Sequence, residues 1–405
     1  MIQTFKMAFR DLGRNRRRSF FSALAVGIGL ALLILMACVI NGEVGGAIEQ
    51  AIQLQSGHIQ LRMPSYDENR SSLKWDDLVA NPDQIAAQVA TLNQVKAATP
   101  RLFASGFIST GNESTGVRIY GINPQSVAND PYRNGVISGS YITADDREGV
   151  LIGQPIALKL HLKAGDSIDL SVNTANGTVQ EQTFIVRGVY STNTYGFDST
   201  TVLLPLAKAQ TITQTENHAS TIFVLLKDTS DTNSVVKALN VSNLKVLTWV
   251  DLNPLMVQWE SLAESYIGIF YLIVLAITAS VIINTLIMSV YERTREIGIL
   301  SAIGMRGSRI MGLFLAESSL LAIGGVIIGV LLGLLGVYLF DIKGFYIGSM
   351  GITGIMVTNT IYAKFTLSQT INLTIASFIV TMLAGLYPAI LASRMQPVEA
   401  LRAEK

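Results

Sequence analysis

The sequence predicts an α-helical membrane protein: four transmembrane helices, with a large mixed α/β extracytoplasmic domain inserted between helices 1 and 2. Three observations predict it. Of the 405 residues, 49% are hydrophobic and only 15% charged, with a mean hydropathy of +0.41, whereas soluble chains carry about a quarter charged residues. Charged residues also bound four long apolar windows. Finally, lysine and arginine gather beside these windows in a pattern that assigns one side of a membrane.

The first 18 residues form a basic cytoplasmic segment, with Lys6, Arg10, Arg14, Arg16, Arg17 and Arg18 against a single acid, Asp11. The 24 uncharged residues at 19–42 are the first span. Its Leu35-Met36-Ala37-Cys38 faintly resembles a lipoprotein signal, but the long basic start and the run on to Ile40 favour an uncleaved span. The chain's one cysteine then lies in lipid, where no intramolecular disulfide is possible.

Residues 43–265 form the extracytoplasmic domain; from 42 to 265 there are 15 basic and 22 acidic residues. Glu43 to Leu54 lacks helix breakers and continues the first span as a stalk. "GHIQLRM" (57–63) alternates like a strand, and "NPDQIAAQVATLNQV" (81–95) reads as a helix with Asn81 as its cap and Pro82 at its first position. Strands follow at 102–110, 115–122, 166–172 and 181–190, making a β-rich lobe over about 100–217. After it come a strand at 219–228, a helix at 230–240 and a strand at 244–250. The flanking segments 57–99 and 218–250 are expected to pack together, with the lobe inserted between them.

The second span is 266–290, the third 310–340 and the fourth 367–391, with an extracytoplasmic loop at 341–366 and a cytoplasmic tail at 392–405. About 20 apolar residues cross a bilayer, so each window crosses once. Arg293, Arg295, Arg306 and Arg309 after the second span share a side with the N-terminal arginines and with Arg394, Arg402 and Lys405. That side is cytoplasmic by the positive-inside rule. Anionic lipid accounts for these basic residues, and nothing points to nucleic acid.

Chemistry is sparse. The 405 residues contain no G-x-x-x-x-G-K-[ST] phosphate loop, and the glycines of "GGVIIG" (324–329) lie within a span. Gly325, Gly329 and Gly333 recur every fourth residue, the spacing that lets helices approach closely in lipid, whether within the chain or between two copies. His58, His161 and His218 stand alone, so neither a zinc site nor a catalytic triad is expected, and no cofactor or metal is assigned to this chain. Glu317 is expected to pair with an arginine such as Arg309, and Asn284 to hydrogen-bond between helices.

Between the second and third spans, residues 291–309 carry "YERTREIGILSAIGMRGSR". Apolar Ile297, Leu300 and Ile303 recur at helical spacing among small residues. Taken alone, this segment fits docking to a partner and lying on the lipid surface equally well.

"ERTREIGILSAIGMRGSRI" followed by "LFLAESSLLAIGGVIIGVLLG" resembles the core of the FtsX-like permease domain of MacB-type and lipoprotein-releasing (Lol-type) ABC transporter permeases. "GLYPAILASRMQPVEALR" (385–402) is similar to that family's closing motif, with Tyr387-Pro388 ending the last span. "GVLIGQPIALKLHLKAGDSIDL" (149–170) resembles an element of its MacB-like periplasmic core, with Pro155-Ile156 a departure at the helix start. The resemblance implies that 291–309 is a coupling helix seated in a groove of a separate ABC-type ATPase. Two ATPase copies would hold ATP and magnesium, and a second permease chain, identical or paralogous, would complete the complex. It further implies that Arg293, Arg295 and Glu296 position the helix, that Ile297, Leu300 and Ile303 fill the groove, and that Gly298 and Gly304 permit close approach.

Length and "SGHIQL" (56–61) look nearer the Lol-type subunits. The resemblance then implies lipoprotein release from the outer leaflet of a bacterial inner membrane to a periplasmic carrier. MacB-type efflux with an adaptor, and FtsX-type regulation of a periplasmic enzyme, are the alternatives. A cleft between first and second spans would use Phe20, Phe21, Leu24 and Ile28, or Tyr266, Phe270 and Tyr271.

Overall fold

The computed structural model describes residues 2–14, 16–67, 73–111, 113–239, 243–346 and 359–396. The closing motif beyond Gln396 and most of the loop after the third span lie outside them. The chain divides into a helical unit (1–44, 260–345 and 361–405) and a sheet unit (45–259 and 346–360).

The helical unit has six principal helices: α1 (Ile2–Arg14), α2 (Arg16–Ala51), α3 (Pro254–Glu292), α4 (Thr294–Ala302), α5 (Gly307–Lys343) and α6 (Leu367–Ser393). Of these, α2, α3, α5 and α6 are long and apolar enough to cross a membrane. Glycine sets how α2 meets α5. A Cβ added at Gly325, Gly329 or Gly333 would stand 2.6, 2.8 or 3.1 Å from Val26, Leu30 or Ile34. All three pairs keep one register, so the helices run parallel. The every-fourth glycine spacing is thus spent on a contact inside the chain.

Helix α2 also meets α3, antiparallel: Ser22 Oγ lies 2.9 Å from Thr285 Oγ1, and Arg18 pairs with Glu292 at 2.6 Å. On α5, Ser318 Oγ donates to the Thr381 carbonyl of α6 at 3.0 Å, where Gly385 leaves room for it. Tyr387-Pro388 does not end α6, contrary to the sequence expectation. Pro388 is buried inside the helix, which runs to Ser393; the backbone bond a proline forfeits is tolerated in a packed transmembrane helix. Asn284 differs too: it faces outward on α3 rather than bonding between helices of this chain.

The sheet unit contains strands β1 (Ile59–Arg62), β2 (Val79–Ala80), β3 (Val95–Thr110), β4 (Glu113–Ile122), β5 (Val136–Gly139) and β6 (Gly149–Gly153). They continue as β7 (Ser167–Asn173), β8 (Val179–Tyr190), β9 (Thr201–Pro205), β10 (His218–Ala219), β11 (Thr221–Leu226) and β12 (Lys245–Thr248). Ten of them form one sheet in the order β12-β1-β11-β3-β4-β9-β6-β8-β5, with β7 pairing both β3 and β8. The double pairing closes β3-β4-β9-β6-β8-β7 into a ring. Strands β7 and β8 turn Ile168, Leu170, Val172, Phe184 and Val186 into it, and β6 and β9 are buried throughout. Such alternation on antiparallel strands and continuous burial on central ones is the usual division of a sheet core.

A lobe boundary near residue 100 cuts β3. Its first half pairs with β11 as far as Arg101, and its second half pairs with β4 from Leu102 onward. Outside the ring, β1, β11 and the helices Pro82–Ala90 and Thr232–Ala238 share a separate core around Ile59, Val89, Ile222 and Val235. Asn81 does not cap the first of these helices. It takes a left-handed φ of 47°, and its Oδ1 accepts from Asn217 Nδ2 at 2.6 Å. Pro155 sits in the first turn of Gln154–Lys159, where a proline costs nothing.

Candidate transmission site

Helix α3 ends at Glu292, and α4 starts two residues later. The short helix has an inward and an outward side. Ile297 is 3% exposed and packs with Val290, Ile310, Phe314 and Ala389 of the same unit. Gly298 is buried beside it. Ile303, by contrast, is 80% exposed and Ile299 45%; Leu300 is half-buried and Arg295 exposed. Ile297 therefore belongs to the bundle's own core and does not fill a partner's groove. The reason is the helical period: Ile299 and Ile303, four apart, share one face, and Ile297 lies across from it.

Gly304 closes the helix. Its φ is +98°. Its N–H donates to the Ser301 carbonyl at 3.0 Å, and Met305 N–H to that of Leu300 at 3.0 Å. This paired closure with a left-handed glycine is a Schellman stop. Gly304 ends the helix, and with it fixes where Ile303 stands.

Arg293 ties α4 to the bundle. Its Nη1 donates to Glu317 Oε1 of α5 at 2.7 Å, its Nη2 to Asp11 Oδ2 of α1 at 2.8 Å, and its Nε to Glu296 Oε2 at 3.1 Å. Glu296 in turn accepts from Arg14 Nη1 at 2.8 Å. The partner of Glu317 is therefore Arg293, not Arg309: one residue beyond α3, the guanidinium fork reaches α5 directly. The Arg293 and Glu317 side chains are only 15% and 3% exposed. Burial works against the charge on Arg293, but Glu317, Glu296 and Asp11 outweigh it and raise its pKa. Burial likewise opposes the charge on Glu296, while Arg293 and Arg14 bring its pKa below the usual carboxylate range. A cavity of about 170 Å³ lies among these groups, lined also by Arg18, Ser289 and Glu292.

Sequence reasoning missed Asp11, Arg14, Arg18 and Glu292 as members of this network. The signal available was the isolation of two acids: Asp11 stands alone in a basic segment and Glu317 alone in an apolar one. Each is an exception to its surroundings, and each is matched by Arg293. What this arrangement does is tie α1, α4 and α5 together through charge. No nucleophile–base pair is present in it, and no group of three or more His, Cys, Asp or Glu among the described residues is placed to hold a metal.

The cleft candidates fall at two places. Phe20, Phe21 and Ile28 are exposed and Leu24 half-buried on α2. The Arg18–Glu292 pair sets Phe20 level with the end of α3, whereas Tyr266 lies 26 residues earlier on α3, about 39 Å away along the helix. Tyr266 and Phe270 are exposed. Tyr271 turns inward, its hydroxyl accepting from Gln369 Nε2 at 3.3 Å.

Comparison with known proteins agrees with this architecture. Residues 19–241 match the MacB-like periplasmic core domain, and residues 268–397 the FtsX-like permease C-terminal domain. The lipoprotein-releasing system transmembrane protein LolE of Haemophilus influenzae is 23% identical over 397 residues, covering 94% of this chain and 93% of that protein. The macrolide export ATP-binding/permease protein MacB of Neisseria gonorrhoeae is 24% identical over 342 residues, covering 81% of this chain but 52% of its own length. This chain thus spans about half of the MacB-type relatives it matches. Among solved structures, the periplasmic region of MacB from Actinobacillus actinomycetemcomitans aligns at 16% identity with a TM-score of 0.35, covering 52% of this chain and 97% of that one. With a MacB-like periplasmic core domain matched over 19–241 and an FtsX-like domain over 268–397, the chain belongs to the MacB/FtsX-like family of ABC transporter permeases.

Proposed function

We propose that this chain is the permease subunit of a mechanotransmitting complex that releases lipoproteins from the outer leaflet of a bacterial inner membrane. Helix α4 is the coupling helix. The observation that carries this is its two-sidedness: Ile297 and the Arg293 network lock one side to the bundle, while Ile299 and Ile303 project from the other. A lipid-facing helix would need no such brace to both α1 and α5. Two copies of a separate ABC-type ATPase, carrying ATP and magnesium, would receive α4, and a second permease chain, identical or paralogous, would face this one. The basic ends of the spans support a topology with both termini in the cytoplasm and the sheet unit outside.

The near end-to-end match with LolE supports lipoproteins as cargo, passed to a periplasmic carrier. The MacB matches favour a second reading, efflux of peptides or drugs through an adaptor. Ile303→Asp tests the coupling step. Losing an apolar contact worth about 1.5–3 kcal/mol weakens ATPase docking roughly 10- to 100-fold, while the thermal melt of the permease is unchanged. Full coupled activity in reconstituted complexes of this variant would remove α4 from the role. For the cargo, depletion of the protein followed by membrane fractionation should leave lipoproteins in the inner membrane; an unchanged distribution turns the choice to efflux.

A further inference from the structure

Helix α2 begins in the helical unit, and its last turns, from Gly45 on, belong to the sheet unit. It closes in a π-type turn, Ile52–Ser56. The carbonyls of a helix end need donors from elsewhere. Here Gly57 N–H serves Ile52 at 2.8 Å, Ser56 Oγ serves Ala51 at 3.2 Å, and Gln60 Nε2 serves Gln55 at 2.9 Å. The Leu54 carbonyl takes two donors, Arg101 Nη1 at 2.7 Å and Tyr132 OH at 2.6 Å.

Arg101 is 0% exposed and lies on β3. Its remaining contacts are all uncharged. Nη2 donates to Asn129 Oδ1 at 2.9 Å and to the Ala128 carbonyl at 3.3 Å. The guanidinium stands 3.4 Å over the Phe223 ring, and its buried Nε has no partner. A buried cation without a carboxylate is costly, and a neutral donor would satisfy a single carbonyl for less. What a cation adds is attraction to the negative end of the whole helix. It is also placed at the one residue where β3 changes partners, between the β11 ladder and the β4 ladder.

We propose that Arg101 is the positioning residue that locks the end of α2 to the sheet unit, so that movement of that helix is imposed on β3 and on both halves of the sheet it joins. The inference rests on the permease reading above and names the joint through which that reading would work. Asn129 holds the guanidinium in plane, its own amide donating to the Asn123 carbonyl at 2.8 Å, and Tyr132 shares the load on Leu54.

The test uses the full chain with Cys38→Ala and spin labels at Glu49 and Lys96, both exposed, to report the helix end against the sheet. A control pair at Lys159 and Glu181, also exposed, reports the ring alone. Arg101→Met should broaden the first distance distribution at least twofold and leave the second unchanged, with Arg101→Lys between. In complexes with the co-purifying ATPase, the first distance should stay fixed on ATP addition in the parent chain and shift in Arg101→Met. Coupled release should then fall at least tenfold, with ATP hydrolysis within twofold. A folded Arg101→Met chain with an unbroadened first distribution overturns the inference. Should that variant not fold, Arg101→Lys, which keeps a cation but loses the fork that reaches both Leu54 and Asn129, decides by the same measurement: broadening supports the lock and its absence overturns it. If the parent chain shows no ATP-dependent release, the permease reading fails, while the nucleotide-free distances still judge Arg101.

Discussion

At the scale of single residues, two carboxylates show how burial sets what a charge can do. Glu317 is held by Arg293 at 2.7 Å, with both side chains largely buried. Removing one partner of a buried pair typically costs about 3–5 kcal/mol, because the other charge is left uncompensated. Arg293→Met should therefore lower the melting temperature of the purified permease clearly, and adding Glu317→Gln should restore part of the loss. A double variant no better than the single one would mean that the two groups are not coupled. Asp198, in the sheet unit, is a different case. Burial pushes its carboxyl up to about 6, against hydrogen bonds from Thr192 and Ser191 that favour the charged form. The folded state thus binds this proton more tightly than the unfolded chain, so the contribution is complete below about pH 4 and is lost as pH rises through about 6. It amounts to at most about 3 kcal/mol. Denaturation at pH 4 and pH 7 should show this slope, and Asp198→Asn should flatten it; an equal slope in the variant would assign it to another group.

At the scale of elements, the glycine seam between α2 and α5 makes a sharp contrast. A side chain at Gly329 meets Leu30 Cβ at 2.8 Å and the Gly27 carbonyl at 2.9 Å, whereas at neighbouring Gly324 the nearest atom, Ala23 Cβ, stands 3.6 Å away. Gly329→Leu should destabilise the helical unit by about 1–3 kcal/mol, the usual cost of overpacking, while Gly324→Ala should be neutral in a detergent melt. The four apolar windows and the glycine spacing were legible in sequence because each rests on a local property, run length or period. The partner across the seam was not legible, since spacing alone does not distinguish an internal helix from a second copy. The same limit explains Ile297 and Ile303. Both lie in one amphipathic pattern, and only the position of α5 and α6 decides that Ile297 is taken inside. Strands β6 and β9 escaped notice for another reason: each is a five-residue, wholly buried run ending in glycine or proline, too short to read as a strand without alternation. Arg101 looked like an ordinary strand residue, because nothing near it in sequence announces that Leu54 will arrive 47 positions away.

At the scale of the whole molecule, charge is segregated along the chain, with the sheet unit acidic and the span ends at 14–18, 293–309 and 394–405 Arg-rich. In a Cys38→Ala chain, a cysteine placed at Glu181 should react with an impermeant thiol reagent from outside intact spheroplasts, and one at Arg306 only after the membrane is opened. The reverse pattern would invert the topology. The parallel α2–α5 seam has one further consequence. Val26, Leu30 and Ile34 fill the gaps over Gly325, Gly329 and Gly333, so the two helices meet along the whole seam without space between them. No acyl chain can enter between them. The second span, α3, is the least enclosed of the four, with 17% of its apolar window buried against 33–39% for the others. A lipid-borne molecule leaving the bilayer sideways would find the α2–α5 seam closed, and α3 the least covered of the four apolar helices in this chain.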